Sequence, residues 1–150
     1  MNVSLTGNDT IIIGGQIITD FATGVVGEIK FPNDIVQVQR GKGGNTIYAL
    51  NNQGFQSELV LRILLGYQND TFLNAQMALM KQNFAGYTLL NGVFIKNVGD
   101  GQGNIHPVTY IMSGGVAKRQ PDAKSVAEGD PTQSLVEWSF IFGNNDRTIG

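Results

Sequence analysis

The chain has 150 residues with 10 basic and 12 acidic side chains, no cysteine and a net charge of −2. That length suits one domain, with roughly 70% of the unfolded chain's surface buried on folding. The composition excludes a disulfide framework and a thiolate metal site, and it lacks the basic footprint of a nucleic-acid binder.

Charged residues make up 15% of the chain, against about 25% in typical soluble domains. Gly, Asn and Gln fill the deficit. A free monomer keeps a denser charged surface for solubility, so little charge with much amide points to surface held in contact with other subunits. The plainer reading is a Gly/Asn-rich loop protein. Residues 1–13, MNVSLTGNDTIII, show no basic region followed by an apolar stretch and a small-residue cleavage site. No apolar run approaches the ~20 residues that a spanning helix needs. A soluble protein made in the cytoplasm, without membrane insertion, is therefore expected.

In chain order, residues 10–19 read as a strand broken or bulged at Gly14-Gly15. Residues 25–31 follow as a strand with Val25, Gly27, Ile29 and Phe31 on one face and Val26, Glu28 and Lys30 on the other. Pro32 ends it, having no ladder donor. Val36, Val38 and Arg40 then alternate with Ile35, Gln37 and Gln39, which is strand periodicity. Gly41, Lys42, Gly43, Gly44 and Asn45 form a tight reversal, and residues 47–50 and 56–65 resume the strand pattern around Asn51-Asn52-Gln53-Gly54. The result is a long, sparsely charged hairpin that needs partners along its edges.

One helix is predicted, capped by Asn69 or Asp70 and stopped near Gly86, with Leu73, Met77, Met80 and Phe84 forming its apolar stripe. That stripe reads as core packing in preference to a ligand groove. Strands resume at residues 88–98, turn at Gly99-Asp100-Gly101-Gln102-Gly103-Asn104, and return at 105–113. The last strand, 135–142, carries Val136, Trp138, Phe140 and Phe142 on one heavy apolar face, with Glu137 and Ser139 opposite. Residues 114–133 hold Pro121, Pro131 and six charged side chains. Loops of that length are usually functional or flexible, and this one reads as an exposed arm toward a neighbouring subunit. Residues 143–150 read as a flexible or partner-ordered tail. The expected architecture is a single domain, mainly β with one α-helix: an antiparallel β-sandwich or partial barrel with an extended hairpin.

Motifs with chemical content do not assemble into a site. His106 is the single histidine, beside Pro107, and lacks a nucleophile or further ligands at fixed spacing. Arg40-Gly41-Lys42-Gly43-Gly44 lacks the Gly-to-Lys spacing, hydroxyl and following helix of a phosphate loop, so a hairpin turn is the better reading. Asp100-Gly101-Gln102-Gly103-Asn104 lacks the further carboxylates of a calcium loop. No acidic pair supports glycoside hydrolysis. Asn2, Asn8 and Asn69 head glycosylation patterns that carry no weight without a secretory signal. No catalytic, cofactor-binding or metal-binding residue is predicted, and an enzyme is not expected.

The strand-turn-strand-helix order over residues 31–77, above all Pro32-Asn33-Asp34, Gly41-Lys42-Gly43-Gly44-Asn45 and Tyr48-Ala49-Leu50-Asn51, resembles the tail tube proteins of contractile-tailed bacteriophages. The likeness covers about a third of the chain well and extends more loosely to the Trp138 strand. It implies a β-sandwich with a flanking helix, assembled as hexameric rings stacked helically into a hollow virion tube that conducts DNA during ejection. The partners so implied are further copies of the chain, a sheath, a baseplate, a tape-measure protein and a tail terminator. Double-stranded DNA would pass through without sequence-specific binding.

An inner wall of that kind should be polar without rows of cations that hold phosphates. Gln37 and Gln39 are the candidate lumen-facing residues. Arg40, Lys42 and Arg62 lie close by and, if they faced the channel, would need offsetting by Glu28, Asp34 or Glu58. Gly41, Lys42, Gly43, Gly44 and Asn45 are candidates for an inter-subunit turn. Lys118, Arg119, Asp122, Lys124, Glu128 and Asp130 are candidates for inter-ring or sheath contact. The alternatives are the tube of a phage-derived injection device, another ring-forming tail component, or a monomeric β-sandwich binding module.

Overall fold

The computed structural model describes residues 3–5, 7, 9–22, 24–123, 125, 127, 129 and 134–150. Strands β1 (Ser4–Leu5), β2 (Thr10–Ile13), β3 (Gln16–Ile18) and β4 (Gly27–Lys30) come first. The hairpin strands β5 (Val36–Arg40) and β6 (Thr46–Leu50) lead through a 3-10 turn (Asn52–Phe55) into β7 (Ser57–Leu64). Helix α1 (Gln68–Gln82) precedes β8 (Leu90–Lys96), β9 (Val98–Gly99), β10 (Val108–Arg119) and β11 (Leu135–Ile149).

Seven strands form one antiparallel sheet in the order β3-β2-β8-β10-β11-β7-β4, curled into a half-barrel. Two further ladders stand apart from it, β1 with β9 and β5 with β6. The expected mainly β domain with one helix and a partly closed sheet is what forms. The curl brings opposite edges together: a Cβ on Gly27 of β4 would lie 2.7 Å from Ile11 Cδ1 on β2. The chain leaving β3 crosses to the edge of β7, where Leu64 N–H donates to Asp20 O at 2.9 Å and Ala22 N–H donates to Arg62 O at 3.1 Å.

Alternation on the neighbouring strands β7 and β11 builds much of the core. Leu59, Leu61 and Ile63 of β7 and Val136, Trp138, Phe140 and Phe142 of β11 are all buried on the concave side. Register sets Trp138 opposite Leu61 and Phe140 opposite Leu59. The Trp138 and Phe140 rings stack with centroids 6.2 Å apart, and Phe140 and Phe142 lie at 6.5 Å. The outward positions carry charge, with Arg62 Nε 3.4 Å from Glu137 Oε2 and Lys118 Nζ 2.8 Å from Glu58 Oε1.

Several local expectations change. Gly14-Gly15 does not bulge one strand but reverses the chain between β2 and β3, because both residues take positive φ, 58° and 84°. Asn69 and Asp70 are inside the helix, and Tyr67 holds the cap position without a side-chain cap bond. The helix ends at Gln82 instead of Gly86; Asn83 closes it, its Oδ1 accepting from Gly86 N–H at 3.2 Å. Phe84 therefore falls off the apolar stripe and is 66% exposed, whereas Leu73 and Met77 are buried.

The supposed arm at 114–133 begins as strand: β10 continues through Gly115, Val116 and Ala117, paired with Phe142, Ile141 and Phe140. Gly115 sits where an added Cβ would overlap the Phe142 ring, so its glycine serves close packing and not a loop. Residues 124, 126, 128 and 130–133 lie outside the described residues. The tail at 143–150 is strand through Ile149, because Asn144, Asn145, Asp146, Arg147 and Thr148 find ladder partners on β10. Of the glycosylation patterns, Asn2 and Asn8 lie outside the described residues, and Asn69 is 1% exposed.

Asn69 ties the helix to β3. Its Oδ1 accepts from Thr19 N–H at 2.8 Å and Asp20 N–H at 3.0 Å, and its Nδ2 donates to Ile17 O at 3.1 Å. A buried amide needs such partners, and removing it strands two backbone donors. Asn69→Leu should destabilise the fold by about 2–3 kcal/mol, read as a lowered denaturant midpoint. An unchanged midpoint would show that these bonds carry no net weight.

Candidate functional site

The hairpin of β5 and β6 grows out of the pairing between β4 and β7, whose ladder ends at Lys30 opposite Glu58. Its own ladder then runs from Val36 opposite Leu50 to Arg40 opposite Thr46. An isolated two-stranded hairpin is marginally stable in water, so the join matters. Amides make it. Asn51 N–H donates to Ile35 O at 2.8 Å, and Asn51 Nδ2 donates to Asp34 O at 2.9 Å. Asn51 Oδ1 accepts from Gln53 N–H at 3.2 Å. Asn33 Nδ2 bridges Gln53 O and Gln56 Oε1, each at 3.3 Å. Gly54 is buried under this clamp; a Cβ there would lie 2.6 Å from both Asp34 O and Ile35 Cα.

Cross-strand partners share a face of an antiparallel ladder. One face of the hairpin therefore carries Gln37 and Gln39 with Ala49 and Ile47 opposite them. Both glutamines are exposed, so the structure brings the candidate lumen residues together on one accessible, half-amide face. The other face carries Val36, Val38, Tyr48 and Leu50, which are 42%, 55%, 71% and 67% exposed. This apolar face was missed in the sequence because Val36 and Val38 alternate as core residues do. At the tip, Gly41 N–H donates to Asn45 O at 2.8 Å and Gly44 N–H donates to Gly41 O at 3.1 Å, with Gly44 at φ 87°. The candidate inter-subunit turn is thus a closed reversal that leaves Lys42 exposed.

The candidate inter-ring residues do not stay together. Lys118 and Arg119 belong to β10, and Lys118 is bound to Glu58. Asp122 is exposed beyond the strand, while Lys124, Glu128 and Asp130 lie outside the described residues. Of the cations near the hairpin, Arg62 is offset by Glu137 on the convex sheet face. Arg40 and Lys42 form no ion pair among the described residues.

Elsewhere, polar groups serve the fold. Asp100 Oδ1 accepts from Gln102 N–H at 2.7 Å and Asn104 N–H at 3.3 Å, and Oδ2 lies 3.4 Å from His106 Nε2. The Gln102 bond first, with help from Asn104 and then His106, holds the Asp100 carboxyl down to about 2. The segment is a turn organised by one carboxylate. A cleft between α1 and the start of β11 includes Asp70, Asn74, Met77 and Trp138. Asp70 there accepts from Gly66 N–H at 2.8 Å and from Trp138 Nε1 at 2.9 Å, so its oxygens position the helix.

No protein-family model and no curated protein matches the chain.

The clamp predicts a local effect. Gly54→Ala must displace backbone at Asp34 and Ile35, at a cost of about 2–4 kcal/mol. Amide exchange in 36–50 should speed up more than in the 59–63 core. Equal acceleration in both would show that the hairpin and sheet open as one unit.

Proposed function

We propose that the chain is a structural subunit of a tail tube, assembling as stacked, hexameric rings into the conduit for DNA ejection through a contractile tail. The observation that carries this reading is the clamped hairpin, whose two faces and two outer edges are uncovered while its apolar residues are up to 71% exposed. A lone protein blunts such edges with charge, proline or a covering element. An uncovered one is complete only with a partner, and the low charge of the chain makes further copies suitable partners. The resemblance over residues 31–77 supplies the particular kind of assembly. Sheath, baseplate, tape-measure and terminator proteins follow as the other partners, and the virion as the destination.

The tube of a phage-derived injection device shares every one of these features and is the second reading. A monomeric binding module is less well supported, since Trp138, its largest aromatic, is 1% exposed. Within the tube, Gln37 and Gln39 would face the channel, where amides solvate passing DNA without holding its phosphates.

Electron microscopy of the purified protein across a concentration series tests the reading, and rings or hollow tubes of uniform diameter are expected. Particles that stay monomeric in the presence of phage baseplates would overturn it. In assembled phage, replacing Gln37 and Gln39 by Lys should slow DNA ejection. Unchanged ejection kinetics would remove these residues from the wall.

A further inference from the structure

A second uncovered apolar surface crosses the convex side of the sheet. Register aligns Ile17 of β3 with Ile12 of β2, Ile12 with Val93 of β8, and Val93 with Ile111 of β10. All four point away from the buried Ile11, Ile18 and Met112, and away from α1, whose Leu73 and Met77 join the core. Ile17 is 54% and Ile111 50% exposed, with Ile12 and Val93 half-buried. The next residue in the row is Asp146 of β11, opposite Ile111. It is exposed and forms no ion pair among the described residues.

The apolar face of the hairpin has the same order of chemistry. It runs from Val36 and Leu50 to Val38 and Tyr48, and then to Arg40. From Val36 to Arg40 is about 14 Å at ~3.4 Å per residue. From Ile17 to Asp146, four strand spacings of ~4.8 Å, is about 19 Å, of which the part from Ile12 is about 14 Å. Each surface is thus an apolar stretch ending in a charge, the row longer by one strand, with opposite signs at the two ends. Both are exposed in the same copy, so the chain does not cover one with the other.

We infer that the Val36, Val38, Tyr48 and Leu50 face of one copy lies across the Ile12, Val93 and Ile111 row of a second copy, with Arg40 set against Asp146. The inference rests on the reading of the hairpin as an assembly element and names the surface that receives it. The hairpin strands cross the sheet strands at a steep angle, as in orthogonal sheet packing. Tyr48 supplies the large amphipathic anchor that interfaces favour. Each copy has one of each patch to offer, so wherever the contact is not returned within a pair it is heterologous and generates rings or helical stacks.

The absence of native cysteine allows a direct test by disulfide trapping. Val38→Cys and Val93→Cys variants, distinguished by tags, are mixed and oxidised. Cross-linked heterodimer should exceed either homodimer by about tenfold. Adding Arg40→Asp to the first variant should cut the yield about tenfold, and Asp146→Arg in the second should restore it. Homodimers equal to heterodimer, or no cross-link, would overturn the inference. Electron microscopy of the unmodified chain separates the two ideas. Tubes without heterodimer remove this contact and leave the tube. Heterodimer without rings or tubes supports the contact, made reciprocally within a pair, and removes the tube.

Discussion

Strand β11 is the element on which the other layers hang. Its fifteen residues lie between β7 and β10, paired with β7 from Leu135 to Phe142 and with β10 from Ser139 to Ile149. Its inward side chains, Val136, Trp138, Phe140 and Phe142, supply the bulk of the buried aromatic mass. Each offset ring pair adds about 0.5–1.5 kcal/mol beyond the area it buries. Trp138 also reaches out of this row, donating its indole N–H to Asp70 and so locking the helix over the sheet. Packing and polar satisfaction meet at that residue, which leaves it no role at the surface.

A rigid β11 holds β7, and β7 holds β4 at its other edge. The hairpin is inserted between those two strands, so its root is carried by the β4 end of the sheet. The two kinds of edge in this chain are treated differently. The outer edge of β4 carries Glu28 and Lys30, charges of the sort that discourage a further strand. The strands of the hairpin instead expose Val, Ile, Tyr and Leu. The two edges therefore differ in chemistry, the one carrying charge and the other apolar and bare.

Much of this was legible in the sequence because period-2 alternation was strong, over Val136 to Phe142 where one side is buried and over Val36 to Arg40 where neither is. The hairpin turn was legible from its glycines. The failures came where identity suggested one local structure and tertiary partners imposed another. Asn144 and Asn145 look like turn formers, yet an adjacent strand supplies their ladder bonds. Gly114 and Gly115 look like a loop, yet Gly115 is there to admit the Phe142 ring. Asn69 looks like a cap, yet it is spent on the end of β3. The apolar face of the hairpin was present in the alternation but could not be told from a core face, since periodicity reports that one side is apolar and not what covers it.

The charge distribution bears on how copies would meet. On the convex face over β7 and β11, opposite charges are paired within the chain, Arg62 with Glu137 and Lys118 with Glu58. Those pairs are partly exposed, worth little in stability, and leave that face nearly neutral. With a net charge of −2 over 150 residues, long-range repulsion between copies is slight, and what remains is screened beyond about 8–10 Å in physiological salt. Attraction between copies would then come from apolar area, which is non-directional. A single charge at the end of each apolar strip supplies the direction that area lacks. It penalises a reversed docking, in which Arg40 would be buried over Ile12 without a counter-ion. In such an interface the apolar strips set the affinity, and Arg40 with Asp146 sets the register.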